Sequence, residues 1–181
     1  MYKENVLLTI REGSLVLLIG PAGSGKSTFA RKHFAGTEIV SSDALRAAVS
    51  DDQGDQSASA DAFQLLRLIT GKRLRRGRLT VIDATNVQTK ARRSLLRLAR
   101  QNSAPTVAIV LDLPPAVCLA RNQSRPDRRV APEVIEKQAA DLRASLTGLP
   151  GEGFERVYVL DNPEVIDSVR ILREPASSSN V

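Results

Sequence analysis

The chain reads as an α/β fold, a parallel central sheet covered by helices on both faces, and three features of the sequence predict it. Short apolar runs alternate with segments of helical periodicity along most of its 181 residues, the pattern of βα units. The most apolar early run, Leu15-Val16-Leu17-Leu18-Ile19, leads directly into Gly20-Pro21-Ala22-Gly23-Ser24-Gly25-Lys26-Ser27. The length fits one domain with a core of ordinary size.

That glycine-rich stretch meets the pattern G-x-x-x-x-G-K-[ST] behind a buried strand. Its backbone must bend through conformations closed to residues with a Cβ and bring several N–H groups onto one anionic group. Lys26 then reaches the β and γ phosphates of a nucleotide, Ser27 offers its hydroxyl to Mg²⁺, and a helix starting near Lys26 aims its positive dipole end at the same phosphates. The polyphosphate of a nucleotide is the expected ligand, held by Gly20, Gly23, Ser24, Gly25, Lys26, Ser27 and Thr28. The motif leaves the fate of the phosphate open, because kinases, GTPases and motor ATPases share it.

The elements follow in order. Asn5 to Ile10 is an apolar run that should form an edge strand, closing a hairpin with Leu15 to Ile19 across the polar turn Arg11-Glu12-Gly13-Ser14. Thr28 to Phe34 continues the loop's helix, Gly36 ends it, and Glu38-Ile39-Val40 is a short strand. Ser41-Ser42-Asp43 precedes a helical segment from Ala44 to Val49, and Ser50 to Ser59, acidic and aperiodic, is expected as a mobile surface loop. The next helix carries Ala62, Leu65, Leu66 and Ile69 inward and ends in Lys72-Arg73-Leu74-Arg75-Arg76 before Gly77. Leu79 to Asp83 is a strand. From Val87 the period is helical, with Val87, Ala91, Leu95 and Leu98 on one face and Lys90, Arg93, Arg97 and Arg100 on the other. Val107 to Leu111 is a strand, Pro114-Pro115 breaks the chain, and a helix runs from Ala116 to about Gln123. Pro132 opens a helix with Ile135, Ala139, Leu142 and Leu146 buried, stopped by Gly148-Leu149-Pro150-Gly151. Val157 to Leu160 is the last strand expected. Asn162-Pro163 caps a final helix that turns Val165, Val169 and Leu172 inward. The domain is read as residues 1–173, with 174–181 a disordered tail.

Composition narrows the function classes. No run approaches a membrane span, and the N-terminus lacks the apolar region of a secretory signal, so the expectation is no membrane and a cytoplasmic protein. One cysteine, Cys118, excludes an intrachain disulfide and a cysteine metal cluster, and one histidine, His33, excludes paired-histidine metal sites; both read as packing residues. Lys and Arg outnumber Asp and Glu by 26 to 20, a net charge of +6, which suits either a polyanionic partner or a soluble protein with arginine-rich helix faces.

Parallel strands end on one side, so Gly20, the segment after Val40 and Asp83 should converge on a single crevice. Asp83 closes a strand as a Mg²⁺-holding carboxylate would, or caps the next helix. Asp43 and Arg46 sit one helical turn apart; the carboxylate can take a proton from an attacking hydroxyl while the arginine holds an anion on the acceptor, or Ser42 or Asp43 is simply an N-cap. Arg121, Arg125, Arg128 and Arg129 lie between two helices, where guanidinium groups suit a lid over a transferring phosphoryl group, or else form an exposed basic helix end.

Taken together, five segments resemble the 5′-polynucleotide kinase domain of bacterial end-healing RNA repair enzymes, a branch of the P-loop kinases. They are Gly20 to Phe29, Ser41-Ser42-Asp43 with Arg46, Ser50-Asp51-Asp52 with Asp55-Gln56, Leu79 to Val87 (L-T-V-I-D-A-T-N-V) and Arg121 to Val130 (R-N-Q-S-R-P-D-R-R-V). They run in the family's order to about Leu172. The resemblance implies an adenylate-kinase-like P-loop NTPase fold with a helical lid. Lys26 and Ser27 would bind ATP and Mg²⁺, with Asp83 in the metal shell, and Asp43 would be the general base toward the 5′-hydroxyl. Arg46 and Gln56 would line the acceptor site, and Arg121, Arg125 and Arg128 would be the lid arginines. The implied partner is the 5′-hydroxyl end of RNA or DNA. Bacterial relatives often carry phosphatase and nucleotidyltransferase (ligase-like) domains after the kinase, so this chain is expected as a stand-alone enzyme or an excised domain, with such domains in the same or a partner chain. With aromatic residues at 3%, no stacking platform is legible, and RNA and DNA are not distinguished. Two rivals share the residues: a P-loop kinase of a small metabolite or nucleotide, and a non-catalytic nucleotide-dependent switch.

Overall fold

In a computed structural model, residues 6–125 and 129–176 are described. Five strands form an all-parallel sheet in the order β3-β4-β2-β5-β6: β2 (Leu15–Ile19), β3 (Ile39–Ser41), β4 (Thr80–Asp83), β5 (Thr106–Leu111) and β6 (Arg156–Leu160). Seven helices accompany it among the described residues: α1 (Lys26–His33), α2 (Ser42–Ser50), α3 (Ser59–Leu74), α4 (Thr89–Gln101), α5 (Pro115–Gln123), α6 (Pro132–Leu146) and α7 (Pro163–Ser168). Two 3₁₀ turns, Gly36–Glu38 and Leu149–Glu152, complete the connections.

The central strand β2 explains the layering. All five of its side chains are buried, and because side chains alternate across a strand, Val16 and Leu18 enter one core and Leu15, Leu17 and Ile19 the other. The first core includes Phe29, Ile109, Cys118 and Ile135; the second includes Leu66, Ile82, Leu95, Leu96 and Leu142. The parallel sheet with helices on both faces is therefore the architecture the sequence predicts.

Two elements differ from the sequence reading. The first strand, β1 (Leu7–Arg11), does not close a hairpin with β2; it pairs in parallel with β7 (Arg170–Glu174) as a separate two-stranded sheet. Both edges of β2 are already paired, with β4 and β5, so no edge is left for β1. The polar turn is present, with the Ser14 N–H donating to the Arg11 carbonyl at 3.2 Å, but it redirects the chain between sheets.

The final helix is also shorter than expected. It ends at Ser168, Val169 is extended, and the next five residues are β7, which leaves Leu172 half exposed. The spacing of Val165, Val169 and Leu172 imitates a helical stripe, yet Arg170–Glu174 runs extended and supplies the parallel partner β1 lacks. Tyr158 ties this small sheet to β6 through hydrogen bonds between its hydroxyl and the Thr9 N–H and carbonyl, both 3.1 Å, and Arg156 donates to the same carbonyl at 2.9 Å.

Candidate active site

The loop Gly20–Ser27 joins β2 to α1, and its shape is fixed by two contacts. Gly23 has φ of 83°, and a Cβ there would run into the carbonyl of Cys118 on α5, so only glycine fits between loop and helix. The Gly20 N–H donates to the Thr85 carbonyl at 2.9 Å, stitching the loop to the segment after β4. Cys118, fully buried beneath Gly23 with its thiol pushed up by burial, is a packing residue. His33 lies against the Phe29 ring at 4.5 Å, and burial lowers its pKa.

Lys26 is 7% exposed. Its ammonium folds back into the loop, donating to the Gly20 and Pro21 carbonyls at 2.8 Å each. Burial brings it down to about 8 from 10.5, against the attraction of Asp83. Asp83, equally buried at the end of β4, is raised above its ordinary 3.8 by burial, opposed by a hydrogen bond from Ser27 and the charge of Lys26. Helix α4 begins only at Thr89, so Asp83 caps nothing.

Across the cleft, the cap of α2 is Ser41, whose hydroxyl accepts from the Ala44 N–H at 3.4 Å. That frees Ser42 and Asp43 from capping. Asp43 is ion-paired with Arg46, which is 4% exposed and donates from Nε to the Gln53 carbonyl at 2.9 Å. The segment between α2 and α3 is a run of tight turns: the Gly54 N–H donates to Asp52 at 2.7 Å, and the Ser57 hydroxyl to Asp55 at 2.6 Å. Those Ser57 bonds hold the Asp55 carboxyl below its ordinary value.

One cleft of about 270 Å³ brings together Lys26, Ser27, Asp43, Arg46, Gln56, Asp83 and Arg125. A second, about 560 Å³, opens from the same centre and shares Ser27, Asp43, Asp83 and Arg125 while adding Thr28. The third, about 340 Å³, lies over Gly23, Ser24, Gly25 and Thr28, with Arg121, Arg125, Ile166 and Asp167. Arg125 faces all three. Arg121 is exposed at the end of α5, its guanidinium 3.5 Å from the Ser24 carbonyl. Arg128 lies outside the described residues, and Gly20 leads from β2 into the loop without lining the cleft.

Four residues to which sequence reasoning gave no part in the site hold this arrangement. Asn86 donates to the Leu18 carbonyl at 2.8 Å, pinning the segment after Asp83 to the central strand. Arg92, fully buried, donates to the Asn86 and Val87 carbonyls at 2.8 Å each and forms an ion pair with Glu152 at 2.5 Å. Asn122 accepts from the Val130 N–H at 3.0 Å and donates to its carbonyl at 2.8 Å, drawing together the ends of the α5–α6 connection. Gln138 on α6 accepts from the Ala22 N–H at 2.8 Å, joining that helix to the loop. Among the described residues no group of three or more His, Cys, Asp or Glu side chains could hold a metal by itself, and no helix is long and apolar enough to cross a membrane.

Comparison with known proteins places this geometry. The AAA_33 family, described as an AAA domain, matches residues 15–149, from β2 to the turn after α6. A stretch of 160 residues is 33% identical to Transcription factor bHLH140 of Arabidopsis thaliana, covering 85% of this chain and 16% of that protein. Among solved structures, a chain of the Pnkp1/Rnl/Hen1 RNA repair complex superposes with a TM-score of 0.65 at 24% identity, covering 75% of this chain and 45% of its own. A gluconokinase from Sinorhizobium meliloti 1021 superposes with a TM-score of 0.54 at 17% identity, covering 88% and 90%. This chain thus spans about a sixth of the plant protein and under half of the RNA repair chain. The likenesses to solved structures establish the fold alone; the family match and the P-loop within it imply nucleotide binding. From its P-loop, its parallel sheet and a family match over residues 15–149, the chain belongs to the AAA_33 family, with the fold of a P-loop kinase.

Proposed function

We propose that the protein transfers the γ-phosphoryl group of ATP to the 5′-hydroxyl end of a polynucleotide. The observation that carries this is the meeting, in one cleft, of the phosphate-binding Lys26 and Ser27 with Asp83 on one side and the Asp43–Arg46 pair on the other. Phosphoryl transfer needs little more than such positioning and charge. Gly23 to Thr28 wrap the phosphates of the donor, and the space beside Ile166 and Asp167 takes its nucleoside. A bound phosphate relieves the strain on buried Lys26, whose ammonium gains a counter-charge in place of two carbonyls. Ser27 and Asp83, hydrogen-bonded neighbours, fit Mg²⁺, which keeps most of its ligands as water and phosphate oxygen; when bound it neutralises charge on the β and γ phosphates.

Asp43 takes the proton of the attacking 5′-hydroxyl as the new O–P bond forms, and the bond from the γ phosphorus to the β–γ bridging oxygen breaks to release ADP. Arg46 fixes Asp43 and, with Gln56, lines the acceptor side. Arg121, Arg125 and Arg128 close over the γ-phosphoryl group as a lid. The sequence resemblance favours a nucleic-acid acceptor, RNA or DNA, and an ATP-dependent reaction suits a cytoplasmic protein. The Pnkp1 complex among the fold's relatives agrees with a place in RNA repair beside phosphatase and ligase-like domains in the same or a partner chain. Incubation with γ-labelled ATP, Mg²⁺ and a 5′-hydroxyl oligonucleotide tests it. Label should appear at the 5′ end in the wild type and be lost in Asp43→Asn; label on a small sugar but on no oligonucleotide would replace this reading with a metabolite kinase.

A further inference from the structure

Beyond the acceptor side of the cleft its floor continues. Phe63 on α3 lines both the 270 Å³ cleft and an adjoining recess of about 360 Å³. Two stretches of chain run from one into the other. Along α3, Ser59 lines the cleft, Phe63 the junction, and Leu66 and Arg67 the recess; after β4, Ala84 and Thr85 line the cleft, and Asn86 and Gln88 the recess.

The two spaces differ in chemistry. The cleft carries Lys26, Asp43, Arg46 and Asp83, whereas the recess is floored by Phe63, Leu66 and Leu95 with exposed Arg67 and Lys90 among its walls and no carboxylate. Asp141, reached by Gln88 at 3.1 Å, also pairs with Lys137 at 3.5 Å. An apolar, partly aromatic floor with cations beside it matches one kind of ligand, a flat heterocycle joined to a phosphate. Grooves for single strands combine aromatic faces for bases with cations that follow the backbone.

We propose that this recess seats a nucleobase of the acceptor strand, beyond the nucleotide whose 5′-hydroxyl reacts, with Phe63 against the base and Arg67 and Lys90 toward the linking phosphate. The assignment rests on the polynucleotide reading above and adds to it where the second nucleotide binds. A small sugar filling the cleft would not extend into the recess, so the recess also distinguishes a strand from a metabolite.

The test compares a 5′-hydroxyl trinucleotide with a nucleoside 3′-monophosphate as acceptors, using γ-labelled ATP. Phe63→Ala should lower kcat/KM for the trinucleotide by ~10-fold or more, mostly through KM, the range of one base stacked on an aromatic ring. The mononucleotide, which meets Phe63 only at the edge of the cleft, should lose far less. Phe63→Leu keeps most of the packing volume without a π face and should show the same selective loss. The doubly substituted Arg67→Ala, Lys90→Ala protein, altered only at exposed positions, should weaken trinucleotide use and make it less salt-dependent, and it carries the test if Phe63→Ala does not fold.

Wild type that uses both acceptors equally well, or variants that lose both alike or neither, would overturn the recess while leaving the kinase reading intact. Wild type that labels neither acceptor would overturn the acceptor reading and the recess with it. Trinucleotide use that survives all three variants, with the recess instead protected by a protein partner, would assign it to protein docking.

Discussion

Lys26 is the residue whose setting says most about the site. A lysine in an exposed loop would contribute little either way, but this one is 7% exposed and satisfied within its own loop, by the Gly20 and Pro21 carbonyls and the Ser24 hydroxyl. Its folded pKa lies at about 8, below the 10.5 of the free side chain. The unfolded chain therefore binds the proton more tightly, and stability from this group rises between about pH 8 and 10.5. Below pH 8 the buried charge costs on the order of 3 kcal/mol. Lys26→Met should accordingly melt higher than wild type near pH 7 without nucleotide, with the gap narrowing toward pH 10, while transfer falls by at least ~10²-fold. Thermal melts across that pH range check it, and a variant that melts lower at pH 7 would mean that the loop depends on the ammonium's hydrogen bonds. Asp43 makes the complementary case. Asp43→Asn should lose ~10²- to 10⁴-fold in transfer with ATP affinity little changed; loss of ATP binding instead would return the carboxylate to a purely structural role. That the P-loop, Asp43, Arg46 and Asp83 would meet in one cleft was legible in the sequence because each falls at, or one turn beyond, the C-terminal end of a strand, whereas Gln56 entered only through the family resemblance and Arg125 through its arginine cluster. Whether Asp43 caps its helix was not, since three polar residues in a row, Ser41 to Asp43, suit a cap equally and only the backbone shows that Ser41 takes the role.

Among the elements, α4 shows what periodicity can hide. Its exposed Arg93, Arg97 and Arg100 sit where the basic face was expected, but Arg92 falls on the buried stripe with Leu95, Leu96 and Ala99. That spacing, i, i+3, i+4 and i+7, was readable; the missing clue was its partner Glu152, sixty residues away. Removing one member of a buried ion pair costs about 3–5 kcal/mol. Arg92→Ala should show that loss in urea unfolding and also slow transfer, because Arg92 holds the carbonyls directly behind Asp83. Arg92→Met, which keeps the volume and leaves Glu152 unpaired, should be no better; near wild-type stability in both would mean that water replaces the pair. At the α5–α6 connection, Arg125→Lys should fail to restore what Arg125→Ala loses, since an ammonium cannot span two phosphate oxygens. Equal rates for Lys and wild type would reduce the lid to a general positive field. The small β1–β7 sheet was illegible for a topological reason: a strand's own sequence carries no record of which edge is free, and here β2 had none to offer.

Across the whole molecule, a parallel sheet gathers the ends of β2, β3 and β4 on one side, and the donor, base and acceptor positions proposed above rest on that convergence. The net charge of +6 extends the same logic to a polyanion. Each phosphate of a bound single strand that these cations neutralise should add about 0.7 to the salt slope of binding, so use of an oligonucleotide should weaken as salt rises more steeply than use of a mononucleotide. The most direct measurement puts acceptors in competition. A single reaction with γ-labelled ATP would contain equal amounts of a 5′-hydroxyl oligonucleotide, a nucleoside 3′-monophosphate, a plain nucleoside and a small sugar, and the label in each would be counted. Label should go first to the oligonucleotide, next to the nucleoside 3′-monophosphate, and scarcely to the other two, with Arg46→Ala erasing the preference for an acceptor that bears a phosphate. Label on the plain nucleoside or the sugar at least equal to that on the oligonucleotide would contradict polynucleotide 5′-kinase activity and leave a P-loop kinase of a small molecule in its place.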